Sequence, residues 1–355
     1  MRILTVVGAR PQFVKAAPVS RALRERHEEV LLHTGQHYDD SMSDVFFRDL
    51  RIPSPDIHLG VGSGDAGPRM AAMIRGVGDA IRRRAPDVVL VYGDTDSTFA
   101  GALAAHAAGT RIAHVEAGLR SGNLGAPEEI NRICTDHMSD LLLAPTPSAA
   151  DALRAERARG RIEVVGDVML DACLSVAAAA RALGVPAKLG LAPRAYYAAT
   201  LHRAENTDDA GRLSAIVRTL GDLDLPVIFP CHPRTRHALT RLGFGRRVGG
   251  LHLIDPLSYP EMMGLLADAR GLLTDSGGLQ KEAYFLAVPC VTLRDETEWT
   301  ETVASGWNRL AGADPALIRQ AVAALKAPGE APDLALYGGG TAAGAVARLI
   351  GELPA

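Results

Sequence analysis

Residues 87–98 read Asp87-Val88-Val89-Leu90-Val91-Tyr92-Gly93-Asp94-Thr95-Asp96-Ser97-Thr98. The unbroken apolar run Val88 to Tyr92 is short, and Asp87 and Gly93 bound it, which describes a buried strand rather than a helix. Such strands belong to parallel sheets. They deliver their last residues to the carboxyl edge, where open α/β folds bind ligands. Asp94 is one such residue. The run Arg111-Ile112-Ala113-His114-Val115 ends the same way at Glu116, followed by Ala117-Gly118, and Glu128 and Glu129 open a helical pattern after Pro127. Acids at neighbouring strand ends can converge on one cleft, and paired carboxylates in a cleft can move protons.

Outward from this stretch the same alternation continues. Strands are predicted at 3–7, 29–34, 87–93, 111–115, 140–144 and 161–165, then at 196–201, 226–230, 251–254, 271–274, 289–293 and 308–311. Helical patterns lie near 12–25, 68–84, 98–108, 128–139, 208–220, 258–268, 278–286 and 314–325. Alternation of this kind means βαβ units and parallel sheets. The stretch 168–192 carries no strand pattern and separates two comparable series. The expected fold is α/β, with two Rossmann-like doubly wound domains facing across a cleft. The first spans 1–170 and carries the carboxylates, and the second spans 185–335. A terminal helix within 340–355 can pack back on the first domain.

Composition narrows the function. The chain has 355 residues, a length that suits two domains. Its net charge of -3 gives no reason to expect nucleic acid or an anionic membrane, so an anionic ligand must be caught by local positive groups. Cys134, Cys173, Cys231 and Cys290 lie far apart without a C-x-x-C pair, which fits reduced thiols and a cytoplasmic protein. The N-terminal run Ile3 to Val7 is too short for a signal peptide, and no apolar stretch approaches membrane-spanning length. No metal is indicated. His33 and His37, or Cys134 and His137, are pairs without the further ligands zinc wants.

Three turns carry ligand chemistry. Thr274-Asp275-Ser276-Gly277-Gly278-Leu279 follows the strand 271–274 and leads into a helix. A small Gly-rich turn at a helix start turns backbone N–H groups toward an anion, and Ser276 can donate another hydrogen bond to a phosphate oxygen. Two glycines beside a serine exceed what a bare turn requires. In the first half, Gly8-Ala9-Arg10-Pro11 opens a helix, with Arg10 and Lys15 near its start to hold a carboxylate or phosphate. His202 follows the strand 196–201, and Cys231-His232-Pro233-Arg234 repeats that arrangement after the next strand. A histidine there can act as an acid or as electrostatic support for phosphate, or simply cap the next segment. The G-x-G-x-x-G fingerprint is absent from the first turn, so a dinucleotide cofactor is not indicated.

Taken together, these motifs resemble the non-hydrolysing bacterial UDP-N-acetylglucosamine 2-epimerases. The likeness runs from Gly8-Ala9-Arg10-Pro11-Gln12-Phe13-Val14-Lys15 through Gly93-Asp94-Thr95, His114 to Arg120, Pro127 to Arg132 and Thr274 to Glu282, and ends at Arg294 to Glu298. It implies a fold like the two-domain GT-B glycosyltransferases, UDP held mainly by the second domain, a homodimer and no cofactor. It implies Asp94, Glu116, Glu128 and His202 as the catalytic set. Arg10, Lys15, Met262, Ser276, Gly277, Gly278 and Glu282 become substrate contacts, with Glu282 on the ribose hydroxyls. The implied reaction is reversible inversion at C2 of UDP-N-acetylglucosamine to give UDP-N-acetylmannosamine, by elimination and re-addition of UDP through 2-acetamidoglucal.

The chain departs from the pattern in places. Trp299 stands where many members have arginine, and with Gly306-Trp307-Asn308 it resembles a subclass that includes epimerases of UDP-2,3-diacetamido-glucuronic acid. Leu257 and Met262 replace a glutamine and a phenylalanine on the uracil side. Gln36, Arg203 and His232 match parts of a second, activating UDP-N-acetylglucosamine site, but Asp39 stands where glutamine is usual. Weak or absent activation is the expectation. The alternatives are the same inversion on the diacetamido uronic acid nucleotide, a hydrolysing relative that releases UDP and N-acetylmannosamine, and a catalytically silent nucleotide-sugar sensor.

Overall fold

The computed structural model describes residues 1–36, 50, 52–62, 64–327 and 329–354, with the side chain of Arg10 outside that set. His37 and Asp39 also lie outside the described residues. Two compact units form: Met1–Leu174 with Asp333–Ala355, and Ser175–Pro332.

The first unit is built on seven strands: β1 (Arg2–Val7), β2 (Glu28–His33), β3 (Ile57–His58), β4 (Val88–Tyr92), β5 (Arg111–Val115), β6 (Leu141–Ala144) and β7 (Arg161–Val164). They lie in the order β3-β2-β1-β4-β5-β6-β7, and every pairing is parallel. Its helices are α1 (Arg10–Arg24), α2 (Ala66–Arg84), α3 (Asp96–Ala107), α4 (Pro127–Met138) and α5 (Pro147–Ala155); α6 (Val168–Ala182) leads on to the second unit. Every residue of β4 is fully buried, as its unbroken apolar run requires. Val89 and Val91 pack with Leu4, Val6, Val77 and Ala102. Each such valine contributes roughly 1.5–3 kcal/mol by leaving water.

The second unit repeats the plan with β8 (Tyr197–Thr200), β9 (Val227–Pro230), β10 (Arg247–Val248), β11 (Leu251–Ile254), β12 (Gly271–Thr274), β13 (Cys290–Thr292) and β14 (Asn308–Leu310). Their order is β10-β11-β9-β8-β12-β13-β14, with β10–β11 antiparallel. Its helices are α7 (Val185–Lys188), α8 (Ala204–Thr207), α9 (Ala210–Gly221), α10 (Pro233–Arg241), α11 (Tyr259–Ala267), α12 (Gly277–Phe285), α13 (Thr300–Ala304) and α14 (Pro315–Ala323). Both units are therefore doubly wound α/β folds, as the alternation of elements indicated.

The chain end, α15 (Ala342–Gly351), belongs to the first unit. Its first two backbone N–H groups donate to Asp171, at 3.3 Å from Ala342 and 2.9 Å from Ala343. A His27 ring nitrogen lies 3.1 Å from the Ala347 carbonyl.

Some elements escaped the sequence reading. The strandless stretch 168–192 holds α6 and α7. Its alanines, Ala177 to Ala180 above all, favour helix but show no sharp apolar stripe. The nine-residue helices α5 and α10 each open on proline at the first position, a start signal that went unread. The two-residue strands β3 and β10 are too short to show a period.

All four cysteines are free thiols. Burial pushes the Cys231 thiol up to about 11 and the Cys290 thiol up to about 12. At pH 8, therefore, iodoacetamide should leave both unlabelled in the folded protein and label them in urea, as read by peptide mass spectrometry. Rapid native labelling of Cys290 would contradict this packing. Among the described residues no helix is long and apolar enough to cross a membrane. No group of three or more His, Cys, Asp or Glu among them is placed to hold a metal.

Candidate active site

In the first sheet the strand order reverses at β1 and β4, so the turns that follow these strands emerge side by side. Gln12 ties them together. Its side-chain oxygen accepts from the N–H groups of Gly8 at 2.8 Å and Ala9 at 3.0 Å. Its amide donates to the Tyr92 carbonyl at 3.1 Å and to Thr98 at 3.0 Å. Gly8 has no alternative here, because a Cβ would stand 2.0 Å from the Thr34 hydroxyl and 2.1 Å from that of Ser97.

Glu116 leaves β5 with φ +71°, a left-handed conformation that costs a non-glycine residue about 1–3 kcal/mol. This turn brings its carboxylate to Lys15 of α1, and the two form an ion pair whose side chains are 6% and 12% exposed. Gly93 borders the pair: a Cβ there would lie 3.0 Å from Lys15 Nζ and 3.1 Å from Glu116 Oε2. Behind this turn sits buried His114, one ring nitrogen 2.7 Å from Asp136 and the other 2.8 Å from the Gly93 carbonyl. Asp136 also receives the Gly118 N–H at 3.1 Å and Arg120 at 2.8 Å. Burial alone would raise the Asp136 pKa, but His114 and Arg120 hold it below the usual carboxylate value.

Asp94 pairs with Arg132 of α4, and the same guanidinium reaches Glu129 at 3.0 Å. Glu129 is buried and accepts from the N–H groups of Ser121, at 3.0 Å, and Gly122, at 2.9 Å. Asn131 donates to the Asp94 carbonyl at 3.0 Å. Glu128 is part-exposed in the first turn of α4, four residues before Arg132 and so on the same helix face. Thus Lys15, Gly93 and Glu116 come together, and Arg132 joins Asp94 to α4, the helix whose first turn carries Glu128.

In the second sheet the order reverses at β8 and β12. Thr200 and Thr274, the last residues of these strands, are register partners, and their hydroxyls lie 2.6 Å apart. His202 and Asp275 follow them, and His202 Nδ1 stands 2.9 Å from Asp275 Oδ1. Ser276 is the N-cap of α12 and accepts from the Leu279 N–H at 3.4 Å. Gly277 and Gly278 form the part-exposed first turn of that helix. The nearest atom to a Cβ on Gly277 would be 3.5 Å away, so packing does not demand glycine there. Glu282 is buried further along α12, and Met262 is buried in α11. The Lys281 ammonium sits 3.8 Å from the centroid of the Trp299 ring.

The residues matched to a second nucleotide site have local partners. Gln36 accepts from the Ser97 N–H at 3.0 Å and hydroxyl at 2.6 Å, at the start of α3. The Arg203 N–H donates to Asp275 at 3.0 Å, and His232 caps α10. Sequence reasoning gave no separate role to Arg132, Asp136 or Asp275. Arg132 and Asp275 stood inside quoted motifs, whereas nothing local links Asp136 to a histidine 22 positions earlier.

Residues 21–351 match the family model described as UDP-N-acetylglucosamine 2-epimerase. The chain is 47% identical to a UDP-2,3-diacetamido-2,3-dideoxy-D-glucuronate 2-epimerase of Pseudomonas aeruginosa, over 99% of this chain and 100% of the relative. It is 40% identical to a UDP-N-acetylglucosamine 2-epimerase of Methanococcus maripaludis, over 88% of each. Its structure resembles that of the Methanocaldococcus jannaschii UDP-GlcNAc 2-epimerase in complex with UDP-GlcNAc and UDP, with a TM-score of 0.92, 37% identity and 99% of each chain covered. Likeness to the calicheamicin glycosyltransferase CalG4, at TM-score 0.54 and 14% identity, concerns the GT-B-like fold alone. The fold and these matches define a nucleotide-sugar epimerase. The chain belongs to the UDP-N-acetylglucosamine 2-epimerase family.

Proposed function

We propose that this chain reversibly inverts C2 of UDP-N-acetylglucosamine, giving UDP-N-acetylmannosamine, by elimination and re-addition of UDP. The observation that carries this reading is the cluster of carboxylates at neighbouring strand and helix ends, each with a cation: Glu116 with Lys15, Asp94 with Arg132. The C2 hydrogen of the sugar is not adjacent to a carbonyl, so enolisation is closed to it. Its removal becomes feasible when the C1–O bond breaks in the same elimination. One carboxylate takes the C2 proton, UDP departs, and 2-acetamidoglucal is left. UDP then adds back at C1 while an acid delivers a proton to the opposite face of C2. Inversion therefore needs at least two proton-handling groups, and Asp94, Glu116 and Glu128 are the candidates.

The departing diphosphate needs positive charge and hydrogen-bond donors. In the second unit we assign that role to His202, Ser276 and the N–H groups of Gly277 and Gly278, with Glu282 on the ribose and Met262 on the uracil side; Arg10 and Lys15 of the first unit are assigned as substrate contacts. A homodimer working in the cytoplasm completes the proposal, and the four free thiols agree with that compartment.

A second reading is the same inversion on the diacetamido glucuronate nucleotide, favoured by the full-length Pseudomonas aeruginosa relative. Incubation with each nucleotide in deuterated water discriminates between them. The turned-over substrate should gain deuterium at C2 while its bond to UDP survives at equilibrium, read by NMR and mass spectrometry. Net release of UDP would instead mark a hydrolysing enzyme. Inversion without deuterium uptake would sink the elimination route.

A further inference from the structure

We infer that Asp275 is a positioning residue that fixes the ring of His202, holding its proton on Nδ1 and turning Nε2 over to the anionic ligand. The inference deepens the reading in which His202 meets the departing diphosphate, and rests on it for its catalytic meaning.

The geometry is that of a buried anion gripping one side of a ring. Asp275 is fully buried, while the His202 side chain is 49% exposed. The carboxylate accepts from the backbone N–H of His202 at 3.1 Å, from that of Arg203 at 3.0 Å, and from the Asn206 amide at 3.1 Å. The fourth partner is His202 Nδ1 at 2.9 Å. A carboxylate already taking three N–H donors has no proton to give, so Nδ1 must be the donor in this contact. A neutral ring is then confined to the Nδ1–H tautomer with its lone pair on Nε2, and a charged ring donates from Nε2.

Register explains why the two residues meet. β8 and β12 are neighbours, and their last residues Thr200 and Thr274 pair. His202 and Asp275 therefore leave adjacent strands at the carboxyl edge, and Asp275 stands one residue before the N-cap Ser276 of α12. The Thr200 and Thr274 hydroxyls pair just ahead of the two residues, while the Asn206 amide also donates to the Leu293 carbonyl at 2.9 Å and its oxygen accepts from Arg212 at 3.3 Å. Glu205, the charged residue before Asn206, lies 3.5 Å from Arg294 Nε. Burial by itself would raise the Asp275 pKa, but His202, Asn206 and the Arg203 N–H together leave it lowered.

The test begins on the unliganded protein. In the wild type labelled with ¹⁵N-histidine, the His202 signals are identified by their loss in His202→Gln. They should show Nδ1–H as the neutral tautomer, and in Asp275→Asn that preference for Nδ1–H should be lost. A wild-type ring in the Nε2–H tautomer, or rapid averaging of the two, overturns the inference without need of the variant. Turnover is measured second. Asp275→Asn should lower kcat about 10²-fold, the scale of a lost acid or electrostatic contribution, with a small change in KM. A folded Asp275→Asn variant that keeps the wild-type Nδ1–H tautomer, or one whose kcat is unchanged, would reduce Asp275 to a structural role and also overturn it. Because the tautomer is read without substrate, a wrong assignment of the sugar nucleotide would leave the first result standing and fail only the second.

Discussion

Replacing Glu116 with glutamine should lower the rate of C2 proton exchange by roughly 10²–10⁴-fold, the usual contribution of a general acid or base, and leave the fold in place. Glutamine matches glutamate in volume and can still hydrogen-bond Lys15, so the first sheet has no reason to rearrange. What it cannot do is accept and return a proton at C2. The residue's backbone supports a chemical role. Glu116 holds a left-handed φ of +71°, a conformation in which a side chain costs more than glycine would. Tolerating that cost at the end of β5 is hard to explain by packing, because the side chain ends on a lysine rather than in a core. The measurement is deuterium wash-in at C2 of the nucleotide sugar, beside a circular-dichroism melt. Wash-in within a few-fold of wild type would remove Glu116 from the chemistry and leave Asp94 and Glu128 to supply both proton-handling groups.

The parts of this site that a reader could take from the sequence are those set by strand ends. An apolar run such as Val88 to Tyr92 has one way to be buried in an α/β protein, so Asp94 had to emerge at the carboxyl edge. The same holds for Glu116 and for His202, and the glycines after Ser276 announced a helix start. Contacts set by register between distant strands were not legible. Asp275 stood in a quoted motif, but its grip on His202 depends on β8 lying beside β12, separated by 74 positions between Thr200 and Thr274. Arg132 was likewise visible as a residue and invisible as the partner of both Asp94 and Glu129. Helices went unread where composition replaced periodicity, as in the alanines of α6. A fully apolar or alanine-rich face carries no 3.6-residue signal.

Gly118→Ala should destabilise the first unit by several kcal/mol and weaken catalysis with it. The glycine sits at φ +85°, and a Cβ there would meet the Ala149 carbonyl oxygen at 2.3 Å and Leu153 Cγ at 2.9 Å. The left-handed conformation costs an alanine roughly 1–2 kcal/mol, and overpacking adds roughly 1–3 kcal/mol. Because the clash is with backbone of α5 rather than a flexible side-chain tip, moving a rotamer does not relieve it. Relief requires α5 to shift or the 116–118 turn to open. The latter would pull the Gly118 N–H from Asp136, which orders His114 beneath Gly93. Glu116 lies two residues away in that turn, so lost stability and lost activity should appear together. Both tryptophans, Trp299 and Trp307, belong to the second unit, so their fluorescence would report on the wrong half. Hydrogen exchange at Ala113, Val115 and Leu143 reads the affected sheet directly. Protection of these amides in Gly118→Ala equal to wild type would show that α5 gives way freely and that the turn needs no glycine.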